Sequence, residues 1–290
     1  MSDETLELEH LRGWIGRTET CDDLLSPWTA SAMAATVRND GSGWPSGRAL
    51  PPLWHWCYFL PTAPQNGLGP DGHPARGGFL PPVPLPRRMF AGSQFEFFEP
   101  LRLAQPATRT SRVADVNLKQ GRGGALVFVK IQHEVHAGSA LLLREFDDIV
   151  YREAPKPGQS APPPQMPPGD AAWRVEHRPD PALLFRYSAL TFNSHRIHYD
   201  HPYATQVEGY ENLIVHGPLI ATLLLEAAQQ HNPGRAVAAY SFRAVRPLTC
   251  GHLLRVCGQA AAGDGSVTLW AEDEQGALLM QASARLGCAA

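Results

Sequence analysis

Residues Pro218–Gly234, PLIATLLLEAAQQHNPG, carry the strongest structural signal in the chain. Leu219 to Gln230 is built almost wholly from good helix formers. It is apolar nearly all round, which predicts a buried helix rather than a surface one. Pro218 suits a first helical position, where its missing N–H is no loss. Asn232-Pro233-Gly234 ends the run. Strand-like segments follow at Val237 to Val245, Leu253 to Ala262, Val267 to Asp273 and Ala277 to Leu286. A buried helix followed by successive antiparallel strands predicts a curved sheet wrapped round that helix.

Upstream, Ala154 to Asp170 reads APKPGQSAPPPQMPPGD. Prolines at this density fix φ and remove amide donors, so the segment is expected to be a stiff, extended connector. It divides the chain into a first half, 1–153, a linker, 154–170, and a second half, 171–290. The halves look related. QFEFFEPLRL from Gln94 and SFRAVRPLTC from Ser241 match when Pro100 is laid on Pro247, which also brings Phe95 onto Phe242 and Leu101 onto Leu248. SALLLRE (139–145) and GALLMQA (276–282) match further on, each behind a β-rich stretch. Two matches in the same order point to a duplicated unit. The first-half counterpart of the buried helix is expected at Asp22 to Val37, with Asp22 as its cap. The Gly/Pro-rich stretch Gly41 to Pro86 is too long for an ordinary connection. It reads as a functional lid or binding loop, with an unordered insertion as the plainer alternative.

Bulk properties narrow the class. The chain has 290 residues, 43% hydrophobic and 18% charged, a globular composition. A net charge of −3 gives no reason to expect nucleic acid as a partner. No apolar run approaches the ~20 residues needed to span a bilayer, so no membrane partner is expected. MSDETLELEH is acidic and lacks the apolar core of a secretory signal. Cys21, Cys57, Cys250, Cys257 and Cys288 are odd in number and include no C-x-x-C, which fits reduced thiols in a cytoplasmic protein. A homodimer is the default oligomer.

The chemistry concentrates in Arg186–Leu219, RYSALTFNSHRIHYDHPYATQVEGYENLIVHGPL. Asn193-Ser194-His195-Arg196-Ile197-His198 resembles the signature of the MaoC-like, (R)-specific enoyl-CoA hydratases. In that signature a strand ends in an Asp and a His follows five residues later within a short helical turn. Asn193 falls on the Asp position, His198 on the His position, and Asp200 completes the habitual H-x-D. Val215-His216-Gly217 resembles the family's H-G segment, which opens the central helix. SFRAVRPLTCGHLLRV resembles the strand pair after that helix, with His252 where Asp is usual. In the first half, DGHPARGGFLPPVPLPRRMFAGSQFEFFEPLRL and LREFDDIVYRE look like one branch of the superfamily. That branch holds mesaconyl-C4-CoA (3-methylfumaryl-CoA) hydratases, itaconyl-CoA hydratases and type 2 3-hydroxyacyl-thioester dehydratases.

The resemblance implies a double hotdog, two antiparallel sheets each wrapped round a central helix and fused through a linker. It implies a hydro-lyase that adds water reversibly across an α,β-enoyl-CoA, such as mesaconyl-C4-CoA to citramalyl-CoA, or itaconyl-CoA. The first half lacks an N-x4-H or D-x4-H followed by H-G, and is expected to shape the acyl tunnel without catalysing. His198 would be the base. The Gly217 amide, at the positive end of the helix, would bind the thioester oxygen. Asn193 would orient water, since a carboxamide cannot take a proton. A second carboxylate on the substrate calls for a cation, with Arg196 and Arg76 as the candidates and a solvent-facing arginine as the plain alternative. Arg87-Arg88 could meet the phosphates of coenzyme A, or be an ordinary solvated pair. His216 reads as a structural hydrogen-bonding residue beside the substrate, with a second base as the alternative. His195, His198, His201 and Asp200 invite a zinc reading, but no second cluster completes a ligand shell, and neither metal nor cofactor is expected. Competing functions are a 3-hydroxyacyl-thioester dehydratase of fatty-acid synthesis and a non-catalytic acyl-CoA-binding hotdog.

Overall fold

The computed structural model describes residues 7–121, 124–154 and 163–289. In chain order the first half contributes α1 (Leu8–Arg12), β1 (Thr18–Leu24), α2 (Pro27–Val37), β2 (Arg87–Phe97), β3 (Pro106–Gly121), β4 (Gly124–Ala137) and β5 (Ala140–Arg152). The second contributes β6 (Trp173–His177), α3 (Pro181–Leu190), α4 (Gly217–Gln230), β7 (Arg235–Ala244), β8 (Leu254–Gly258), β9 (Ser266–Glu272) and β10 (Leu278–Ala289). All ten strands form one sheet in the order β1-β3-β4-β5-β2-β7-β10-β9-β8-β6. The order is a palindrome: β2 answers β7, β5 answers β10, and so on outward to β1 and β6. This is a double hotdog, joined where β2 pairs antiparallel with β7 from Gly92↔Arg243 to Glu96↔Ala239. Of the connector, residues 155–162 lie outside the described residues, and 163–170 form neither helix nor strand.

The second half folds as its pattern predicts. α4 is buried on every side and packs against β7, β8, β9 and β10. Each of Leu219, Ile220, Leu223, Leu224 and Leu225 contributes about 1.5–3 kcal/mol by leaving water. β8 stops at Gly258, short of the expected Ala262, and Trp173 lies so close to Gly258 that an added Cβ would meet its indole at 2.1 Å. The expectation for Asp22 to Val37 is corrected. Residues 18–24 are a strand, because TETCDDL pairs with β3 and Asp22 accepts a bond from the Thr108 hydroxyl at 2.6 Å. The helix begins only at Pro27, which has no amide to lose at that position.

Nor is α2 wrapped by a sheet. It packs against α3 and the 3-10 turn Trp54–Cys57. Equivalent hydrogen bonds identify the true counterpart of α4. The Leu50 N–H donates to the Leu101 carbonyl at 2.7 Å, and the Val215 N–H to the Leu248 carbonyl at 2.9 Å. Leu101 and Leu248 are the matched leucines, so Leu50-Pro51-Pro52 corresponds to Val215-His216-Gly217. The helix that follows in the first half is reduced to Trp54–Cys57. That turn is fixed by buried Glu145 on β5, which takes bonds from Trp56 at 2.8 Å and shares one with His55 at 2.9 Å. The halves are latched through Glu226, the one acid on α4. Arg38 clasps both its oxygens, at 2.5 and 2.7 Å, and Trp54 donates at 2.9 Å. Removing Arg38 would strand a buried carboxylate, at a cost of about 3–5 kcal/mol. No described helix is long and apolar enough to cross a membrane.

Candidate active site

The turn that follows α3 carries the histidines. Asp180 caps α3 by accepting the Leu183 N–H at 2.7 Å, with Pro181 at the first position. Beyond the helix Phe192 takes a left-handed φ of 48°, a strained value for a bulky residue. The Asn193 side-chain oxygen then accepts the His195 N–H at 3.0 Å and closes a tight turn into the 3-10 segment Arg196–His198. This use of Oδ1 leaves the side-chain nitrogen Nδ2 without a hydrogen bond among the described residues.

His198 is 7% exposed. Its Nδ1 lies 2.7 Å from the Ile214 carbonyl, which can only accept, so the proton is on Nδ1. Nε2 therefore carries the lone pair, and makes no hydrogen bond among the described residues. The ring stacks on His216, centroids 3.7 Å apart, and lies edge-on to His195 at 5.5 Å. His216 precedes Gly217 and offers α4 no side-chain cap. The Gly217 N–H makes no hydrogen bond among the described residues and stands at the positive end of the helix, where Pro218 offers no N–H. A Cβ added at Gly217 would meet nothing within 4 Å. Ser188 on α3 fixes His216 through Nε2 at 2.8 Å, while His216 Nδ1 is buried without a partner among the described residues.

The long first-half loop completes the cluster. Gly72, at a φ of +89°, lies so close to the turn that an added Cβ would fall 1.9 Å from the Ser194 carbonyl oxygen. The Ser194 hydroxyl bonds the Gly72 carbonyl, and the Arg196 N–H donates to the Asp71 carbonyl at 2.9 Å. This docking sets His73 against His195, ring centroids 4.1 Å apart. Asp71 holds His73 by its backbone N–H at 3.0 Å and its Nδ1 at 3.1 Å.

The arginines are distributed unlike the sequence expectation. Arg196 is occupied by Asp200 at 2.7 and 2.9 Å, by the Pro70 carbonyl at 2.9 Å, and by the Tyr203 ring. Arg76 clamps its own loop through the carbonyls of Val83, Leu85 and Pro86. Arg87 pairs with Glu208 at 3.2 Å. Arg88 is half-buried. The usual Asp replaced by His252 leaves a surface contact, 3.0 Å to Glu211. Thus His198 and His216 come together at the residue before Gly217, Asn193 shapes the turn that leads to His198, and Arg196 and Arg76 have their guanidinium groups committed elsewhere. Sequence reading passed over Ser188, Asp71 and His73. The D-P pair opening α3 and the DGH of the long loop were their only visible traces.

Burial dominates the electrostatics. It pushes His198 down to about 4, with the charge of His73 adding and the Ile214 carbonyl opposing. It pushes His73 down to about 4 and His195 to about 2, the first helped by Arg88 and the second by His73. His216 is driven well below the ordinary imidazole value. All four rings are neutral near pH 7. For Asp71, burial works upward, but the bonds and charge of His73 win and hold the carboxyl below its usual range. Asp71, His73 and His195 bring donor atoms within 4.8 Å of one another. A cation there would face Arg88 and Arg76, whose charges bear on His73.

The family model for hydroxyacyl-thioester dehydratase type 2 matches residues 53–250. The mesaconyl-C(4)-CoA hydratase of Chloroflexus aurantiacus is 46% identical over 274 residues, 94% of this chain and 97% of the relative. A MaoC-like dehydratase from Phytophthora capsici superposes with a TM-score of 0.70 at 15% identity, covering 98% of this chain and all of that one. A Mycobacterium tuberculosis protein described as a double hotdog superposes at 0.56 with 15% identity, covering 94% of this chain and 96% of that one.

Proposed function

The chain belongs to the hydroxyacyl-thioester dehydratase type 2 family, and from that premise we propose that it hydrates mesaconyl-C4-CoA to citramalyl-CoA. It is a hydro-lyase acting on an acyl thioester. The observation that carries the reading is the His198 tautomer: Nδ1 is committed to Ile214, which leaves Nε2 as the acceptor of a ring stacked on His216, the residue before Gly217.

The chemistry follows from these groups. The thioester oxygen accepts the Gly217 N–H and gains negative charge as the enolate forms. Asn193 donates to the attacking water. His198 Nε2 takes one proton from that water as its oxygen bonds to the β-carbon, then returns the proton to the α-carbon as the enolate collapses. One water is consumed and the imidazole ends neutral. A neutral resting histidine suits a base, because no proton has to leave before the cycle starts. The first half, 1–153, serves as a non-catalytic wall of the site, and 171–290 carries the reacting groups.

The test is loss of enoyl-thioester absorbance on mesaconyl-C4-CoA, itaconyl-CoA and crotonyl-CoA, with wild type and His198→Ala. Activity highest on mesaconyl-C4-CoA and lost in a folded His198→Ala supports the reading. Preference for the apolar acyl chain of crotonyl-CoA would favour a fatty-acid dehydratase, and inertness across the panel an acyl-CoA-binding protein.

A further inference from the structure

In the sequence, the histidines of the catalytic turn lack a second cluster to complete a metal shell. The fold supplies one. The long first-half loop brings Asp71 and His73 against His195, and the donor atoms of these three residues lie within 4.8 Å of one another. Backbone contacts hold the loop there. The Arg196 N–H donates to the Asp71 carbonyl at 2.9 Å, and the Ser194 hydroxyl bonds the Gly72 carbonyl. The donors therefore ride on two segments already fastened together, and closing them on an ion costs little further ordering.

The spacing fits a small dication. Asp71 Oδ2 and His73 Nδ1 stand 3.1 Å apart. Two donors on a tetrahedral zinc, each at about 2.0–2.1 Å, are separated by about 3.3–3.4 Å. An ion can replace the hydrogen between them while the His73 proton moves to Nε2, so the ring stays neutral. Nε2 makes no hydrogen bond among the described residues. The ring of His195 lies 4.1 Å from that of His73, and neither of its nitrogens makes a hydrogen bond among the described residues. Rotation about its side-chain torsions closes the remaining gap. Two imidazoles, one carboxylate and a water make an ordinary shell for zinc.

The charges allow it. Asp71 is ionised and both rings are neutral near pH 7, the forms that ligate. Arg196 reaches the adjacent Pro70 carbonyl at 2.9 Å, but Asp200 neutralises it. Arg76 is taken up by the carbonyls of Val83, Leu85 and Pro86. The positive field of Arg88 and Arg76 at His73 weakens binding without removing a ligand, which makes occupancy reversible.

We propose that Asp71, His73 and His195 form a site for a zinc-class dication, which staples the first-half loop to the catalytic turn. The ion binds the ring that lies edge-on to His198 at 5.5 Å. Its charge there opposes protonation of the base during turnover, so occupancy inhibits hydration.

Zinc and cobalt(II) are the probes, on the full chain stripped with a chelator. Zn2+ titrated against a chromogenic chelator is expected to fill a single site, and Co2+ to give the intense visible bands of four-coordinate cobalt. Asp71→Asn, His73→Gln and His195→Gln should each weaken binding by about tenfold or more, at least the cost of an outer-shell partner. His201→Gln, at an exposed histidine just beyond His198, should leave it unchanged. Zn2+ should also slow proteolysis within 67–86 in wild type and not in His195→Gln. Absence of saturable binding, or binding that survives both Asp71→Asn and His195→Gln, overturns the site. Should Asp71→Asn disturb the loop, His195→Gln decides, since that ring has no hydrogen bond to lose. Zinc affinity is read without turnover, so it stands or falls apart from the proposed function, on which only the inhibition rests.

Discussion

The imidazole of His198 lies face to face with that of His216, ring centroids 3.7 Å apart and planes 19° from parallel. Each ring is held by a different element: His198 by the Ile214 carbonyl, His216 by the Ser188 hydroxyl on α3. The stack therefore transmits the position of α3 to the base. Ser188→Ala is expected to destabilise the fold by about 1–3 kcal/mol, since it strips His216 of its one hydrogen bond and leaves a second buried nitrogen unpaired. It should also lower kcat more than it raises KM. Urea midpoints and steady-state hydration rates read both. Unchanged kcat would mean that the stack does not position His198.

The depressed histidines give a rate profile of unusual shape. A free imidazole takes its proton near about 6.5, but His198 holds out to about 4. The acid limb of kcat/KM for hydration should accordingly fall near 4, with full activity at pH 5.5. A limb between 6 and 7 would contradict a buried neutral base.

Stability responds in the same window. The folded pKa is below the unfolded one, so the unfolded chain binds protons first as pH falls. The contribution of His198 is present above about 6.5 and is lost on the way down to about 4. Asp147, pushed up to about 7 by burial and by Glu145, acts in the opposite sense over the same range. The histidine term is thus read as a difference. Between pH 7 and pH 5 the urea-derived stability of His198→Gln should fall by about 1–2 kcal/mol less than that of wild type. Equal drops would show that His198 titrates normally.

Local pattern made some of this legible and long-range closure hid the rest. α4 was readable because its propensity, its apolar circumference, Pro218 and Asn232-Pro233-Gly234 all point the same way. Asn193, His198 and Gly217 sit within one short stretch, so their spacing survives in one dimension. Asp22 misled because it stands like a helix cap ahead of Leu24, Leu25 and Trp28, whereas pairing with β3 claims residues 18–24 for a strand. Asp71, His73 and Arg88 are more than a hundred positions from His198, and only the docking of Gly72 on Ser194 brings the loop residues in. Arg196 and Arg76 looked available because sequence does not reveal that Asp200 and three carbonyls already occupy them.

That docking can be attacked at one atom. Gly72 has a φ of +89°, and an added Cβ would lie 1.9 Å from the backbone oxygen of Ser194, which has no flexible end to swing away. Gly72→Ala should lift the loop from the catalytic turn, at a cost of about 1–3 kcal/mol in backbone strain alone. Activity should fall at least about tenfold, by loss of alignment. Limited proteolysis within 67–86 should quicken. A variant with wild-type rates and protection would show that the loop's contact with Ser194 is incidental.

Gly217 poses the opposite experiment. A Cβ here meets nothing within 4 Å, and alanine is the better helix former, so Gly217→Ala should fold with unchanged or slightly higher thermal stability. The amide N–H survives, yet the methyl enters the open space where the thioester oxygen must approach. Hydration should drop by about a hundredfold in kcat/KM, the scale of a misplacement of about 1 Å at a reacting centre. The first half shows what loss of the donor itself looks like: Pro52 stands where Gly217 stands in the second, with no N–H to offer, and the helix behind it has shrunk to Trp54–Cys57. A fully active Gly217→Ala would remove the helix-end amide from the mechanism, and the stabilisation of the enolate would have to come from another donor.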